Sequence, residues 1–344
     1  MTQQRRGVLT AGSWVIDINK TLPYWPAEDT MNTIIELDRQ GGGSGCNMAV
    51  DLKRLDRDFP VETMGILGDD DDGRFLIAQC DALGIGRERL RLMPGETTAF
   101  SDCFNARASG KRTHIYYPGI AEKLCPDHFD FSTTTARILH LGLPGAHKVM
   151  DAPWGHDSTG WATVLKAARA AGLVTNLEMV STTRDKVQTF GRSCLPHLDL
   201  LVVNDYEIGA VADIETRDGT TTLYPQVAAA LRTALERGAM NVAVAHFPEG
   251  GIAATRDGQI VSVGSVAMPS EKIAGVNGAG DAFAAGFLYF WHEGHPLEEA
   301  LRLGHACAAA SMREVSTSAG VVSVAECMAL ARGFGFRPDP DIKG

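Results

Sequence analysis

Apolar positions along this chain fall in short runs whose spacing switches repeatedly between the periods of strand and helix. Residues 7–18 read as one strand, with Val8-Leu9 and Val15-Ile16 either side of Gly12-Ser13 and Asp17 as a polar interruption. A turn-rich stretch over 21–26 leads to a short strand at 33–37. Met48, Leu52 and Leu55 recur at helical spacing and predict a helix over 47–55. A strand at 61–67 and a helix at 74–83 closed by Gly84 follow. Residues 97–105 and 113–117 flank Ala108-Ser-Gly-Lys111, a hairpin pattern. Beyond a strand at 137–141 the alternation is regular: helix 159–171 closed by Gly172, strands 173–178 and 198–203, helix 227–236 and strand 241–245. A hairpin over 251–255 and 259–266 turns at Asp257-Gly258, and helices are predicted over 297–312 and 323–331. The near-continuous apolar run at 198–203 suits a strand buried on both faces. Together these predict a doubly wound α/β sandwich with a small β appendage from the early strands and the hairpin.

Composition narrows the partners. The 344 residues suffice for a large core, and 44% hydrophobic with 22% charged residues is ordinary for a soluble globular protein. A net charge of −10 gives no general support to a nucleic-acid role. No apolar run reaches about 18 residues, so no membrane span is expected, and the Arg5-Arg6 start does not read as a signal peptide. The seven cysteines are scattered, odd in number and without paired metal spacing. They read as reduced packing residues of a cytoplasmic chain. Residues 338–344 read as a loose tail.

The candidate chemistry centres on Gly275-Val-Asn-Gly-Ala-Gly-Asp281-Ala-Phe283. Gly278 and Gly280 allow a sharp turn into an apolar helix, whose first N–H groups and dipole suit an anion such as phosphate. Asp281 beside such a pocket repels phosphate, so it makes sense as a base for an attacking hydroxyl. Taken alone, the stretch reads equally well as an ordinary helix start capped by Asp281. Gly41-Gly-Gly-Ser-Gly-Cys-Asn47 is either a glycine loop capped by Asn47 or a sugar-hydroxyl site made of Gly43 N–H and the Asn47 amide. Asp17 is a solvated turn residue or a ligand contact. Asp69 to Asp72 lack calcium-loop spacing and read as a solvated loop and helix cap. His292-Glu-Gly-His295 has the wrong spacing for a helical zinc site and reads as a helix-end turn.

Four motifs in order resemble the ribokinase-like (PfkB) carbohydrate kinases over about residues 7–331. They are Gly42-Gly-Ser-Gly-Cys-Asn47, Gly65-Ile-Leu-Gly68-Asp-Asp-Asp-Asp-Gly73, Asn204-Asp-Tyr-Glu207 and Gly278-Ala-Gly-Asp281-Ala-Phe. The resemblance implies one kinase domain over 1–344, a ribokinase-like three-layer sandwich with a small β-sheet lid from about 17–40 and 96–118. It implies ATP-dependent phosphorylation of a sugar or sugar-like hydroxyl. Asp281 would be the base, and the N–H groups of Gly278, Ala279 and Gly280 the anion hole. Asp17, Gly43 and Asn47 would hold sugar hydroxyls. Asn204 and Glu207 would order Mg²⁺ near the ATP phosphates, Glu207 through water. Residues 305–310, with His305 and Ala309, would border the adenine. A homodimer through the lid is expected.

Three positions depart from the family. Gly275-Val276 stands where Asp-Thr is usual, and potassium-binding members use that Asp as a ligand, so potassium activation is not carried over. His246-Phe247-Pro248 replaces the usual Thr-Leu-Gly near the expected nucleotide site. A carboxylate that some ribokinases place after the mid-chain strand falls near Gly142, which disfavours ribose. The competing readings are a nucleoside or phosphosugar kinase of the same fold and a non-catalytic sugar-binding regulator. Arg107, Lys111 and Arg112 are the candidate phosphosugar contacts, or simply a solvated hairpin tip; Asp281 argues against the regulator.

Overall fold

The computed structural model describes residues 5–314 and 320–343. The chain begins with β1 (Val8–Gly12), β2 (Val15–Leu22), β3 (Glu36–Gly42), α1 (Ser44–Leu55), β4 (Val61–Gly68), α2 (Asp71–Leu83) and β5 (Gly86–Met93). It continues with β6 (Phe100–Ala106), β7 (Lys111–Tyr117), β8 (Ile138–Gly142), α3 (Gly160–Ala170), β9 (Val174–Leu177), α4 (Arg184–Cys194) and β10 (Leu200–Asn204). Then come α5 (Asp205–Ala212), β11 (Arg217–Asp218), β12 (Thr221–Thr222), α6 (Tyr224–Arg237), β13 (Val242–Phe247), β14 (Gly250–Thr255) and β15 (Ile260–Gly264). α7 (Ala279–His292), α8 (Leu297–Ser311) and α9 (Val324–Phe334) complete it.

The main sheet has nine strands in the order β15-β14-β13-β10-β9-β8-β1-β4-β5. β13 through β5 pair in parallel, and β14 and β15 add an antiparallel edge. Successive side chains of a strand point to opposite faces, so a covered strand must be apolar on both. Leu200 and Val202 accordingly enter the core with α1, α2, α7, α8 and α9, while Leu201 and Val203 enter the core with α3 to α6. This is the three-layer doubly wound sandwich. A parallel sheet of this kind gathers ligands at the carboxyl ends of its strands.

A second sheet, in the order β3-β2-β6-β7, stands apart from the first. β2 pairs antiparallel with β3 and parallel with β6. The stretch 7–18, expected as one strand, is therefore two strands in two sheets. The break is Gly12, with φ 106°, where an added Cβ would overlap the carbonyl oxygen of Gly142. That oxygen also accepts from Ser13 N–H at 2.8 Å. Glycine here lets two backbones touch while the chain changes sheet.

Other differences have local causes. Gly41 and Gly42, read as loop, end β3, because a Cβ on Gly42 would collide with the Asp17 carboxyl of the neighbouring strand. Asn47 lies inside α1 and does not cap it; Gly43, φ 85°, holds the cap position. Asp70 does cap α2, its carboxylate accepting from Gly73 N–H at 2.8 Å. Residues 338–343 are held rather than loose. Arg337 N–H donates to Ser265 O at 2.8 Å, the Asp339 carboxylate accepts from Gly264 N–H at 2.9 Å, and Pro340 is buried. The tail thus occupies polar groups that the edge strand β15 would leave open; Gly344 lies outside the described residues. All seven cysteines are free. No helix among the described residues is long and apolar enough to cross a membrane.

Gly12 and Gly258 separate strain from collision, since both have positive φ but an added Cβ at Gly258 meets nothing within 4 Å. Gly258→Ala is expected to cost about 1–3 kcal/mol, the usual worth of a strained backbone position, and Gly12→Ala clearly more. Denaturant unfolding of both variants checks this; equal losses would contradict the close approach at Gly12.

Candidate active site

The carboxyl ends of the parallel strands and one face of the small sheet enclose a cleft of about 570 Å³. Asp17, Ser101, His114 and Tyr116 line it from the small sheet, and Glu178, Asn204, Gly278 and Asp281 from the main domain. A second cleft of about 360 Å³, lined by Phe283, His305, Ala309 and Met312 among others, lies alongside. Asn204, His246 and Gly280 belong to both walls. The start of α7 is thus the partition between two cavities.

That partition is built by Gly278, which adopts the left-handed conformation (φ 73°) and sits at the N-cap of α7. Asp281 is therefore inside the first turn and is not the cap. The first N–H groups of a helix have no intrahelical acceptor, and Ala279 N–H has only a long 3.4 Å bond to Val276 O. The Asp281 carboxylate accepts a 2.7 Å bond from Asn47 Nδ2. Asn47 Oδ1 and Ser44 Oγ are buried without partners, and both residues line the cleft. Buried polar atoms of this kind are normally satisfied, so the wall is suited to a ligand that carries hydroxyls.

Carboxyls crowd the floor. Burial first, then the Glu178 charge and a hydrogen bond to Glu178, hold Asp281 well above the usual carboxylate range; the Asn47 amide and His140 oppose them. Glu178 is pushed up to about 7, chiefly by burial. Two carboxyls that share a hydrogen bond share a proton. Glu178 Oε2 is 2.8 Å from His140 Nε2, and His140 Nδ1 is 2.9 Å from Asn176 Nδ2. Burial holds His140 down at about 4, so the imidazole is neutral and donates its Nε2 proton to Glu178. Asp17 is raised to about 6 by burial and by the charge of Asp281.

Asn204 and Glu207 form a reciprocal cap on α5. Asn204 Oδ1 accepts from Glu207 N–H at 2.9 Å, and Glu207 Oε2 accepts from Asn204 N–H at 3.1 Å. Glu207 Oε1 also accepts from Ser181 Oγ at 2.9 Å, and burial raises its carboxyl to about 7. In the second cleft the ring of Phe283 lies between His246 and His305, each 4.8 Å away between centroids. Arg217 reaches its rim, held by the buried Asp205 through a 2.8 Å bond.

Every site residue expected from sequence thus lines one of these clefts or, like Ala279, starts the helix between them. A profile of the pfkB family of carbohydrate kinases matches residues 6–323. The chain belongs to that family. It is an ATP-dependent kinase of the carbohydrate and nucleoside class. Among its relatives are an ATP-dependent ribose-1-phosphate kinase of Halopiger xanaduensis, 27% identical over 88% of this chain and 90% of that one. Mouse ketohexokinase is 24% identical over 88% and 94% respectively. The ribokinase of Thermotoga maritima superposes with a TM-score of 0.76 at 21% identity, covering 95% of this chain and 99% of that one. The Arabidopsis thaliana ribokinase complexed with ribose and ATP gives the same four values.

The kinase has cleft residues that sequence reasoning missed, Glu178 above all. Its signal was position: a charge ending a buried strand, at the sheet edge where ligands gather. Glu178 stands beside Gly142 of the adjacent strand, where an added Cβ would come within 3.3 Å of its own Cβ. A carboxylate of the adjacent strand's end thus stands beside position 142, which has none of its own.

Glu178 also sets a pH test. Between its ordinary 4.5 and about 7, the folded kinase keeps a Glu178 proton that the unfolded chain has released. Wild-type stability falls as pH rises through that window. Gln at 178 keeps an acceptor for His140 and a donor for Asp281. Glu178→Gln is expected to gain on the wild type in thermal unfolding from pH 4.5 to about 7, then level off. A difference that does not change with pH would contradict the buried proton.

Proposed function

We propose that the kinase transfers the terminal phosphoryl of ATP to a hydroxyl of a sugar or sugar-like acceptor, with Asp281 as general base. The observation that carries this is the Asp281 carboxyl on the floor of one cleft, one turn inside the helix start that separates it from the other. The acceptor occupies the cleft of Asp17, Gly43 and Asn47; ATP occupies the one walled by His305 and Ala309. Their reacting ends meet at Gly278, Ala279 and Gly280.

Phosphoryl transfer asks a protein mainly for position and for neutralisation of charge on the phosphoryl oxygens. The N–H groups of Gly278 to Gly280, with only a long bond from Ala279 to Val276 O among them, do the latter at fixed positions. Asn47 donates to Asp281, and when the proton shared between Asp281 and Glu178 sits on Glu178, Asp281 is left to aim its remaining lone pairs at the acceptor hydroxyl. A carboxylate held above its usual range is a better proton acceptor, and the proton can leave late. The small sheet acts as the lid that excludes water, a competing acceptor.

Mg²⁺ fits indirectly. Both Glu207 oxygens already accept bonds, and no cluster of three or more metal-ligating side chains occurs among the described residues. A hard cation here would be held mostly by phosphate and water, as Mg²⁺ prefers, with Asn204 and Glu207 ordering that water. Bound, it would offset phosphate charge.

The working unit we propose is a homodimer through the lid. Among the described residues, nine of the eleven exposed large hydrophobic residues lie within 24–37 or 115–117, including Trp25, Met31, Leu37 and Ile115. Such a concentration marks an interaction surface, and a second copy offers the same patch. Seven free thiols suit a reducing compartment, the cytoplasm.

Asp281→Asn keeps an acceptor for Asn47 and a donor for Glu178, so it should fold as the wild type does. Its kcat is expected to fall roughly 10²–10⁴-fold, the worth of a general base. The assay is ATP consumption over a panel of sugars, sugar acids, nucleosides and phosphosugars. A wild-type kcat in the variant would remove Asp281 from the chemistry.

A further inference from the structure

We propose that Arg112 is a second anion-binding group of the active site, a lid guanidinium seated against the glycine loop ahead of α7 to hold a phosphate or carboxylate oxygen. The proposal rests on the kinase reading only for its kinetic test.

The three cations of the hairpin tip differ. Arg107 is exposed and pairs with Glu36 at 2.8 Å, and Lys111 is exposed. Arg112 is half-buried, and no described residue gives its guanidinium a carboxylate or a hydrogen bond. Burial lowers its pKa, opposed only by the Cys103 thiol. A buried cation without a counter-charge is costly and is normally paired.

Its direction follows from strand register. Arg112, His114 and Tyr116 lie opposite Asn105, Cys103 and Ser101 and share one face of β7. His114 and Tyr116 on that face line the acceptor cleft. Arg112 continues the row to Gly275, where any Cβ would overlap its Nη2 atom. Gly275 is thus a notch that admits the guanidinium, in the loop that ends at Gly278. The cleft floor meanwhile carries Asp17, Glu178, Glu207 and Asp281. An anionic group is repelled from that floor, and the guanidinium seated against Gly275, in the loop ahead of α7, is where it can be held.

Two sources supply such an anion: the phosphoryl in transit, or a phosphate or carboxylate on the acceptor. Kinetics separates them. Arg112→Met is expected to lose about 10- to 100-fold in kcat/KM, the worth of a charge-assisted bond, with Arg112→Lys partly restored. A fall in kcat with every acceptor assigns the contact to the phosphoryl. A rise in KM confined to anionic acceptors assigns it to the substrate. Gly275→Ala should reproduce the loss by displacing the guanidinium. Calorimetric titration with inorganic phosphate gives a readout without turnover, in which Arg112→Met should bind at least about 5-fold more weakly, a conservative floor on the same bond. If the wild type phosphorylates nothing, the kinase reading fails and the titration alone decides. Loss in either assay, restored in part by Lys, supports the site. Differences under about 3-fold in both, below the worth of one charged bond, overturn it.

Discussion

A single 2.7 Å hydrogen bond, from the Asn47 amide to the Asp281 carboxylate, joins two helices whose sequences lie at opposite ends of the kinase. Both helices start at the carboxyl edge of the main sheet, each behind a glycine with positive φ, Gly43 and Gly278. The bond therefore fixes the wall that we propose binds hydroxyls relative to the helix start that we propose binds phosphate. Position is most of what phosphoryl transfer requires. The rest of the fold serves that junction: nine strands hold the edge in place, and cores on both faces stop the helices from shifting.

Placing carboxyls at such a junction has an electrostatic consequence. Asp17, Glu178, Glu207 and Asp281 cannot all be charged in one mostly buried cleft, and each is raised above its ordinary value. Raised carboxyls cost stability at neutral pH and make better bases. The neutral His140, pinned by Asn176, gives Glu178 one donor instead of a second charge. The floor is thus tuned by protons held between side chains, and Arg112, to which no described residue gives a carboxylate, stands on the lid against Gly275.

Legibility from sequence followed how local each cause was. The apolar run at 200–203 announces a strand covered on both sides. The glycine-rich motifs announce helix starts, because their turns are made by adjacent residues. β3 was displaced in the reading because Glu36-Leu-Asp-Arg-Gln40 has a single apolar residue among four polar ones and ends in glycines that the Asp17 approach requires. β5 was missed because Arg and Glu alternate with few apolar positions on an edge strand. The break at Gly12 is decided by Gly142, far along the chain. The pairing of His140 with Glu178 comes from the register of β8 on β9, where His140 faces Asn176. Arg112 read as a solvated tip because only the folded lid brings it to Gly275. Residues that meet through register leave no mark at either position alone.

The central claim is that the start of α7 is where phosphoryl passes between two clefts. A crystal structure with Mg²⁺ and a non-hydrolysable ATP analogue tests it most directly. The adenine is expected beside His305 and Ala309, and the terminal phosphate within hydrogen-bond distance of the N–H groups of Gly278 to Gly280, on the side facing Asp281. A nucleotide seated in the cleft of Asp17 and Asn47, or phosphates turned away from α7, would contradict it.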